Sequence, residues 1–400
     1  MEETMKAWQQ NAPGPVEENL KLVDNVPSPN TALKKGEILV RVVSACLNPA
    51  DYKVMEMGFL ARATVKFPKV MGMDLSGTVT AVAEGSTDVK VGDNILGRVD
   101  PMKPHGSLSQ YLVLSQEEYA VIPKEVDLDH AAGVPTAGMT AYQSIKPYVK
   151  AGDRIFINGG SGGTGSFGIQ IGKALGCHVT TSCSTAKVDL VKKLGADAVI
   201  DYRIENIVTE LKAEGQVYDL VVDNVGNSPK DFFATTPGFL RSAGHYIAVG
   251  GSPSLQTVQN MTKGLLWPSF LGGTPRKFVP YFTKNVREDY EQLANWLADG
   301  TITTIIDSTF EFEQVIGALE HIKKGSSTGK VIVHVSPKDF QGSRLGYSSL
   351  DLSVDLPSKD LGIFLLYVAV DEWSPQGSHA HSHDANPQSG NTLMAKDITD

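Results

Sequence analysis

Glycines and hydroxyl-bearing residues make up one short run, residues 159–165, directly after the apolar segment Arg154–Asn158. Within this run Gly160, Gly162 and Gly165 have the spacing G-x-G-x-x-G, which lets a tight turn bring backbone N–H groups close to an anion. A helix pattern follows, and its first turn would offer free N–H groups and a partial positive charge. The spacing predicts a pyrophosphate site. The alternative is a glycine-rich turn in an α/β protein that binds no nucleotide.

The end of the next strand bears on the choice of dinucleotide. A site specific for NAD usually has Asp or Glu there, which accepts from the ribose 2′-OH. Here the strand ends Ser182-Cys183-Ser184-Thr185, Lys187 follows, and the first carboxylate is Asp189, inside the next helix pattern. Hydroxyl groups and a lysine favour a 2′-phosphate, so the sequence predicts NADPH. The alternatives are a helix N-cap for Ser184 and a solvated lysine for Lys187.

The elements that must hold this loop are strands alternating with helices. From about Asp153 to Gly251, apolar strand-like runs alternate with helical patterns such as Thr185–Leu194. This alternation predicts a parallel, doubly wound sheet of the Rossmann type. The strand-like runs are Arg154–Asn158, His178–Cys183, Ala198–Tyr202, Leu220–Asn224 and Tyr246–Val249.

The segment before it, from about Met5 to Val121, has short β-like runs separated by Gly, Pro, Asn and Asp, which predicts a mostly β domain. The clearest of these runs are Ile38–Ser44, Ser76–Val82 and Tyr111–Leu114. After the doubly wound part, Asp289–Asp299 is predicted as a helix and Gly329–Val335 as a strand. We expect both to return to the first domain.

From about Gln341 onward the chain is rich in Ser, Asp, Gly and Pro, which predicts a flexible polar tail over residues 341–400. The alternating His379, His381 and His383 would be compatible with a metal ion. A plain polar tail is the favoured interpretation, because no carboxylate or cysteine cluster fixes a coordination geometry.

Composition limits the class of protein. The chain has 400 residues and 41% apolar composition, which is enough for two domains with substantial cores. A net charge of −9 and the lack of a long basic block argue against a nucleic-acid or anionic-membrane surface. The N-terminus does not resemble a signal or transit peptide. Cys46, Cys177 and Cys183 lack C-x-x-C spacing, so we expect a reducing, cytoplasmic location.

Further motifs are distributed from residue 48 to residue 331. They are Asn48-Pro49-Ala50-Asp51-Tyr52-Lys53, Val70-Met71-Gly72-Met73-Asp74, Val91-Gly92-Asp93, Gly106-Ser107-Leu108-Ser109-Gln110-Tyr111, Thr136-Ala137-Gly138-Met139-Thr140-Ala141-Tyr142, Gly195-Ala196-Asp197 with Tyr202, and Gly329-Lys330-Val331. With the glycine loop, they resemble zinc-free medium-chain dehydrogenases/reductases: the quinone oxidoreductases and enoyl reductases. In particular, the chain resembles the fungal trans-acting enoyl reductases that partner polyketide synthases. The resemblance covers about Met5 to Pro337 and is specific as a set, although several motifs are common singly.

The same resemblance shows which metal ligands are missing. Zinc-dependent relatives have a ligand Cys three residues before the Asp of a C-x-x-D motif, and Asn48 stands at that position relative to Asp51. Their Gly-His-Glu corresponds to Gly72-Met73-Asp74, so Met73 replaces a ligand His. Met and a neutral amide are poor Zn²⁺ ligands, and three scattered cysteines cannot form a four-Cys zinc loop. We therefore predict no metal, and we interpret the nearby Cys46 as a buried strand cysteine.

The resemblance implies a reaction that needs hydride transfer alone, the reduction of a C=C bond conjugated to a carbonyl. The site must then position two π-systems and stabilise the negative charge that develops on oxygen. The catalytic candidates are Tyr52, Lys53 and Thr140. A packing tyrosine and a surface lysine are the alternatives for Tyr52 and Lys53.

The cofactor residues are also implied by the resemblance. It assigns the pyrophosphate to Ser161–Thr164, the 2′-phosphate to Ser184 and Lys187, and the adenosine side to Tyr202. The full set is Asn48, Pro49, Asp51, Ser161, Gly162, Gly163, Thr164, Ser184, Lys187, Tyr202, Asn224, Val249, Gly250, Lys330 and Val331. A substrate-pocket wall is expected at Phe270, Leu271, Gly272, Gly273 and Thr274, for which an ordinary loop is the alternative.

We therefore predict an α/β protein in three parts. A GroES-like, mostly β catalytic domain spans residues 1–145 and 286–340, a Rossmann NADP(H)-binding domain spans 146–285, and the tail spans 341–400. The predicted function is NADPH-dependent reduction of an enone or enoyl thioester, and the resemblance suggests secondary metabolism with a polyketide synthase as partner. An NADPH:quinone oxidoreductase is one alternative, and a non-catalytic NADPH-binding partner protein is another. We expect a monomer or a homodimer.

Overall fold

The computed structural model describes residues 3–86, 88–226, 228–250 and 276–337. The predicted pocket wall at 270–274 and the predicted tail lie outside these residues. Within them, two large β-sheets and one small sheet carry the fold. No helix in this part of the chain is long and apolar enough to cross a membrane.

The first large sheet is mostly antiparallel and has seven strands. It confirms the mostly β character predicted for the N-terminal segment. In spatial order its strands are β15 (Ile306–Glu311), β16 (Lys330–His334), β3 (Ile38–Leu47), β5 (Asp74–Val82), β6 (Asn94–Arg98) and β8 (Tyr119–Ile122), with β7 (Tyr111–Leu114) also paired to β3. A small antiparallel sheet beside it contains β2 (Leu20–Pro27), β1 (Thr4–Gln10) and β4 (Lys69–Val70).

The second large sheet has six strands, all parallel. It confirms the doubly wound architecture. In spatial order its strands are β11 (Ala198–Asp201), β10 (His178–Cys183), β9 (Arg154–Asn158), β12 (Tyr218–Asp223), β13 (Leu240–Ala248) and the edge strand β14 (Lys277–Pro280). Its central strands are apolar on both faces, because Phe156 faces an aromatic cluster while Ile155 and Ile157 face helices.

The helices cover these sheets. They are α1 (Val16–Asn19), α2 (Pro49–Met55), α3 (Phe59–Thr64), α4 (Leu128–Ala132), α5 (Pro135–Ile145), α6 (Gly163–Ala174), α7 (Val188–Lys193), α8 (Ile207–Ala213), α9 (Phe232–Thr235), α10 (Arg287–Ala298) and α11 (Val315–Lys323). The predicted helix Thr185–Leu194 begins as a 3₁₀ turn and continues as α7. The predicted helix Asp289–Asp299 is α10, which starts two residues earlier with acidic residues in its first turn.

One apolar core joins the two large sheets through α5. Ala137, Met139 and Tyr142 of this helix belong to the cluster that contains Val43 of β3 and Ile155 of β9. These side chains are buried, so removing any of them would expose or empty a core shared by both sheets.

The last described strand closes the first sheet. Strand β16 pairs antiparallel with β3, with Val331 opposite Leu47, and parallel with β15. Just before β16, Gly329 forms a β-bridge with Gly162 of the glycine loop. This bridge brings the start of β16 to the second sheet, beside the end of β3.

Candidate functional site

A cleft of about 530 Å³ opens where the parallel strands β9, β10 and β12 end at their carboxyl sides. Crevices at this edge of an open α/β sheet are where such folds bind ligands, and this volume is in the range of small-molecule sites. The lining residues are Leu47, Asn48, Pro49, Ala137, Asn158, Gly159, Ser161, Gly162, Gly163, Thr164, Gly165, Ser182, Cys183, Lys187, Tyr202, Ile207, Asn224, Val225, Ser228, Ile322, Gly325, Ser327, Gly329, Lys330 and Val331.

The glycine loop forms one wall of the cleft and has the geometry that its spacing predicts. Gly159 has φ +79°, and the Gly160 N–H donates to the carbonyl of Ser182 at 2.9 Å. Helix α6 follows with Gly162 at its N-cap, so the N–H groups of its first turn lack intrahelical acceptors. A Cβ on Gly165 would lie 2.2 Å from the Gly159 oxygen. Only glycine fits there, so the helix starts against the turn.

The predicted 2′-phosphate residues lie at the end of β10. Lys187 lines the cleft, and its Nζ donates to the Ser326 carbonyl at 2.9 Å. Ser184 is the N-cap residue of the following 3₁₀ turn and does not line the cleft. Tyr202 lines it with about half of its surface exposed. Asp201, at the end of β11, accepts from the Arg203 N–H and lies outside the lining.

A buried carboxylate organises the turn after β12. Asp223 accepts hydrogen bonds from Asn158 Nδ2 (2.8 Å), Tyr246 Oη (2.5 Å) and the N–H groups of Val225 and Gly226 (3.1 and 3.0 Å). The same turn carries Asn224 into the cleft wall. Asp223 therefore fixes where this part of the wall lies.

The predicted nicotinamide residues after β12 and β13 differ in position. Asn224 lines the cleft, and its Nδ2 donates to the Asn158 carbonyl at 3.2 Å. Val249 and Gly250 do not line the cleft, but their N–H groups donate to the Asp223 carbonyl at 3.0 and 2.9 Å. A Cβ on Gly250 would lie 2.1 Å from the Asn224 oxygen, so the two strand ends are in close contact.

The floor of the cleft is a buried polar network. The Lys330 Nζ lies 2.5 Å from Asn48 Oδ1 and 3.8 Å from Asp74 Oδ2, and Asn48 Nδ2 donates to the same Asp74 oxygen at 2.9 Å. Burial alone would lower the pKa of Lys330. The neighbouring Cys46, Asp74 and Asp51 outweigh that effect and raise the pKa, so the side chain is an ammonium.

Asp51 lies just outside the cleft. Its Oδ2 accepts the Asn48 N–H at 2.7 Å and so caps helix α2. Together with Lys69 and Met73 it lines a separate small cavity. Burial raises the pKa of Asp51 to about 7, and the Asn48 hydrogen bond only partly opposes that effect.

The three predicted catalytic side chains lie outside the lining of the described cleft. Tyr52 is half-buried on α2 against an apolar cluster that contains Val40 and Leu75 of the first large sheet, and the Lys323 ammonium lies 5.2 Å from its ring centroid. Lys53 is partly exposed on the same helix. Thr140 is buried on α5, one turn after Ala137 of the cleft wall, with its Oγ1 2.7 Å from that of Thr283.

The structure adds wall residues that the sequence analysis missed. Ser327 belongs to the run Lys324-Gly325-Ser326-Ser327-Thr328-Gly329, a second glycine- and hydroxyl-rich segment that composition could have revealed. Asn158 is the last residue of β9 and Ser182 the last but one of the adjacent parallel strand β10, positions that predict cleft residues. Neither composition nor position at a strand end of the parallel sheet predicts the apolar cleft residues Leu47, Ala137 and Ile322.

Two buried polar atoms of the cleft wall, Asn224 Oδ1 and Ser327 Oγ, have no hydrogen-bond partner among the described residues. Buried polar groups are normally paired, so these atoms fit a ligand that brings amide, hydroxyl or phosphate groups. The free N–H groups of α6 and the Lys187 ammonium fit its anionic part. The donor set therefore suits a dinucleotide.

For a metal ion, the described residues contain no group of three or more His, Cys, Asp or Glu side chains that could hold one. Asn48 and Met73, at the positions of the ligands in zinc-dependent relatives, are both buried.

Comparisons with known proteins agree with this arrangement. A family model described as "Alcohol dehydrogenase GroES-like domain" matches residues 34–126, and one described as "Zinc-binding dehydrogenase" matches residues 194–333. A protein named "Trans-enoyl reductase pgmF" from Aspergillus terreus is 40% identical over 347 residues, covering 83% of this chain and 96% of that protein.

Two further similarities are more distant. A protein named "NADPH-dependent alkenal/one oxidoreductase, chloroplastic" from Arabidopsis thaliana is 31% identical over 83% of this chain and 80% of its own length. The solved structure of a quinone oxidoreductase from Coxiella burnetii superposes with a TM-score of 0.71 at 27% identity, covering 83% of this chain and 100% of that one. The chain therefore belongs to the medium-chain dehydrogenase/reductase family, as an oxidoreductase with a GroES-like part, a Rossmann-like sheet and a nicotinamide cofactor.

Proposed function

We propose that this protein reduces a C=C bond conjugated to a carbonyl, in an enone or an enoyl thioester, with NADPH and without a metal ion. The observation that carries the proposal is the composition of the cleft. A dinucleotide loop lies beside a floor made of an amide, an ammonium and a carboxylate, and the amide, Asn48, stands where zinc-dependent relatives have a ligand Cys.

The preference for NADPH rests on the end of β10. Lys187 lines the cleft there, and the nearby carboxylate of Asp201 lies outside the lining. A lysine stabilises a 2′-phosphate, whereas a carboxylate in the same place would accept from a 2′-OH. We assign the pyrophosphate to Ser161–Thr164 and the phosphate-bearing ribose to Ser184, Lys187 and Tyr202.

When bound, a reduced nicotinamide would supply a hydride to the β-carbon of the conjugated bond, and a proton from a side chain or water would complete the reduction at the α-carbon. The protein's part is to orient the reacting groups and to stabilise negative charge on the carbonyl oxygen. Asn48, Pro49, Asn224 and Val331 line the cleft where they could orient ligand groups. Tyr52, Lys53 and Thr140 remain candidates for the substrate side.

The substrate class follows from the chemistry of the site and from the named relatives. A floor without metal ligands suits hydride addition to an activated C=C bond better than oxidation of an alcohol, which profits from a Lewis acid. The relatives named trans-enoyl reductase and alkenal/one oxidoreductase have substrates of this class in their names. The quinone oxidoreductase with a similar fold supports a quinone as the second candidate.

The test is turnover with a panel of acceptors. Purified protein is mixed with NADPH and either a 2-enoyl thioester of N-acetylcysteamine, an enal, an enone or a quinone, and NADPH absorbance is followed. We expect the thioester or the enone to give the highest kcat/KM, with a saturated product. A quinone as the single productive acceptor would favour the second candidate. Tight NADPH binding with no turnover on any of them would instead support the non-catalytic alternative.

The expectation of a carrier-tethered substrate and a polyketide synthase partner belongs to this proposal. A free thioester and a carrier-tethered one can be distinguished as substrates by loading the same enoyl group on an acyl carrier protein. If the protein recognises the carrier, KM should be lower for the loaded carrier than for the free thioester. A cytoplasmic location is also proposed, since Cys46, Cys177 and Cys183 are free and buried.

A further inference from the structure

Lys330 connects the two walls of the cleft with one side chain. Its backbone begins β16 directly after Gly329, whose N–H donates to the Ser161 carbonyl at 3.1 Å. Its aliphatic part passes the glycine loop, since a Cβ added to Gly163 would lie 2.9 Å from Lys330 Cδ. Its ammonium then reaches Asn48 on the opposite wall. The side chain therefore spans from the phosphate loop to the start of α2.

The network leaves Asn48 a single orientation of its amide. Oδ1 accepts from the Lys330 ammonium, which has only donors, and Nδ2 donates to the Asp74 carboxylate, which has only acceptors. A flipped amide would set donor against donor and acceptor against acceptor. All three side chains are at most 5% exposed, so water cannot substitute for the lost hydrogen bonds.

The network also reaches a third part of the wall. Asp74 Oδ1 accepts from the N–H and the hydroxyl of Thr136, at 3.0 and 2.5 Å. Thr136 is in the first turn of α5, next to Ala137 of the cleft wall. Arg98 Nε donates to the Thr136 hydroxyl at 3.0 Å. The three wall segments at Asn48, Ala137 and Gly163 are thus tied to one buried ion pair.

Stability alone is a poor explanation for this pair. Replacing a buried ion pair with apolar groups of similar volume is often neutral or stabilising, because desolvation offsets the attraction between the charges. Its position between cleft walls indicates a different role. We propose that Lys330 is a positioning residue, which acts through Asn48 to hold the cleft in the shape that NADPH binds. This inference rests on the proposed function in one respect, which is that NADPH is the ligand of the cleft.

The experiment separates folding from positioning by comparing Lys330→Met with the double variant Lys330→Met/Asp74→Asn. The single variant leaves the Asp74 charge buried without its cation, so the midpoint of thermal unfolding (Tm) should fall. The double variant carries neither charge and should recover most of the Tm. The amide introduced at position 74 would face Asn48 as a donor and so favour the flipped orientation of Asn48. NADPH affinity, measured by fluorescence, should therefore stay about tenfold weaker in both variants, the scale of one lost hydrogen bond.

Two comparisons complete the design. Lys69→Met removes the charge of another buried lysine, which donates to the Lys103 carbonyl outside the cleft, and should lower the Tm without weakening NADPH binding. Asn48→Ala should weaken NADPH about as much as Lys330→Met, and combining these two changes should add little, because they act through one contact.

The measured Tm values and NADPH affinities distinguish a positioning role of Lys330 from a purely structural one. Recovery of NADPH affinity together with the Tm in the double variant would show a purely structural lysine and overturn the inference. Additive losses from Asn48→Ala and Lys330→Met would also overturn it. A wild-type protein that binds no NADPH would instead overturn the proposed function, and binding is measured without any acceptor, so the two failures are distinct.

Discussion

The Lys187 ammonium donates to the carbonyl of Ser326 at 2.9 Å and so joins the end of β10 to the loop before β16. Both residues belong to segments that line the cleft, although they are 139 positions apart in the chain. A cation held at the edge of the cleft by a neutral carbonyl remains available to a stronger anionic acceptor. This contact makes Lys187 the first residue to test for cofactor choice.

Lys187→Glu should weaken NADPH binding by about 10- to 100-fold, since a charge-assisted hydrogen bond of roughly 1.5–3 kcal/mol is lost and a repulsive charge is added. NADH binding should change little, because NADH has no 2′-phosphate. Titration of intrinsic fluorescence with both cofactors measures the two dissociation constants. Lys192→Glu, with the same charge change on exposed α7, is the control. Equal losses for NADPH and NADH would refute the phosphate assignment.

Asp223→Asn should lower the free energy of unfolding by about 2–4 kcal/mol. The carboxylate oxygens now accept hydrogen bonds from donors on both sides, and the NH₂ group of an asparagine would face one set of those donors. It should also weaken cofactor binding, since the turn that carries Asn224 loses its anchor. Chemical denaturation and cofactor titration measure the two effects. Tyr246→Phe removes a single hydrogen bond to this carboxylate and should cost about 1.5 kcal/mol, the low end for a bond to a charged group. Unchanged stability in Asp223→Asn would contradict the role of this carboxylate.

Gly165→Ala should abolish cofactor binding and destabilise the fold, because its Cβ would lie 2.2 Å from the Gly159 oxygen and 2.7 Å from Gly160 Cα. Gly162→Ala is the matched control in the same loop. Gly162 has φ −80°, and the closest atom to an added Cβ is 3.6 Å away, so the fold should tolerate it. Circular dichroism melting curves compare the two. A Gly165→Ala variant as stable as Gly162→Ala would show that the loop has a different conformation.

Asp51→Asn should become more stable relative to wild type as the pH rises from about 4 to about 7. The unfolded carboxyl loses its proton near pH 4, whereas burial raises the pKa of Asp51 to about 7 in the fold. Between these two pH values the Asp51 carboxyl loses its proton in the unfolded state but keeps it in the fold. The free energy of unfolding of the wild type therefore falls as the pH rises across this window. The asparagine variant keeps an oxygen that accepts from the Asn48 N–H, but its side chain has no group that ionises in this pH range. Melting temperatures at pH 4.5, 6 and 7.5 test the trend, with exposed Asp189→Asn as the control.

Treatment with a chelator should leave reductase activity unchanged, and elemental analysis after dialysis should find less than stoichiometric zinc. The reason is the donor chemistry of Asn48 and Met73, since neutral amide and thioether groups bind Zn²⁺ poorly. A variant with Asn48→Cys and Met73→His provides a comparison in which some zinc uptake is expected. Stoichiometric zinc in the dialysed wild-type protein would contradict the metal-free mechanism.

The parallel sheet was well predicted because its signals are local. The predicted runs Arg154–Asn158 and His178–Cys183 have the observed bounds of β9 and β10, since both are short runs between turn residues, with an apolar centre in β9 and β-branched Val and Thr in β10. Strand β14 (Lys277–Pro280) was missed, because a four-residue edge strand has too few residues for a periodic pattern. The sequence also favoured a single helix after β10, whereas the first turn there is 3₁₀.

The candidate site was predicted less completely because its contacts are between distant segments. Lys330 was expected beside the cofactor, but its hydrogen bond to Asn48 spans 282 positions and leaves no local pattern. The same is true of Asp74 and Thr136, which only the packing of β5 against α5 brings together. A motif identifies residue types near a loop, whereas partners in a buried network depend on tertiary packing.

The pairing of β16 with β3 also determines when the site can form during synthesis. Leu47 leaves the ribosome almost three hundred residues before Val331, its partner across the sheet. Until then, the early strands have no β16 beside them, and the phosphate loop has no Gly329 to pair with. Non-local strand pairs of this kind form late, because closing a long loop costs entropy before any contact is gained. A nascent chain that stops before residue 330 should therefore be unable to bind the cofactor.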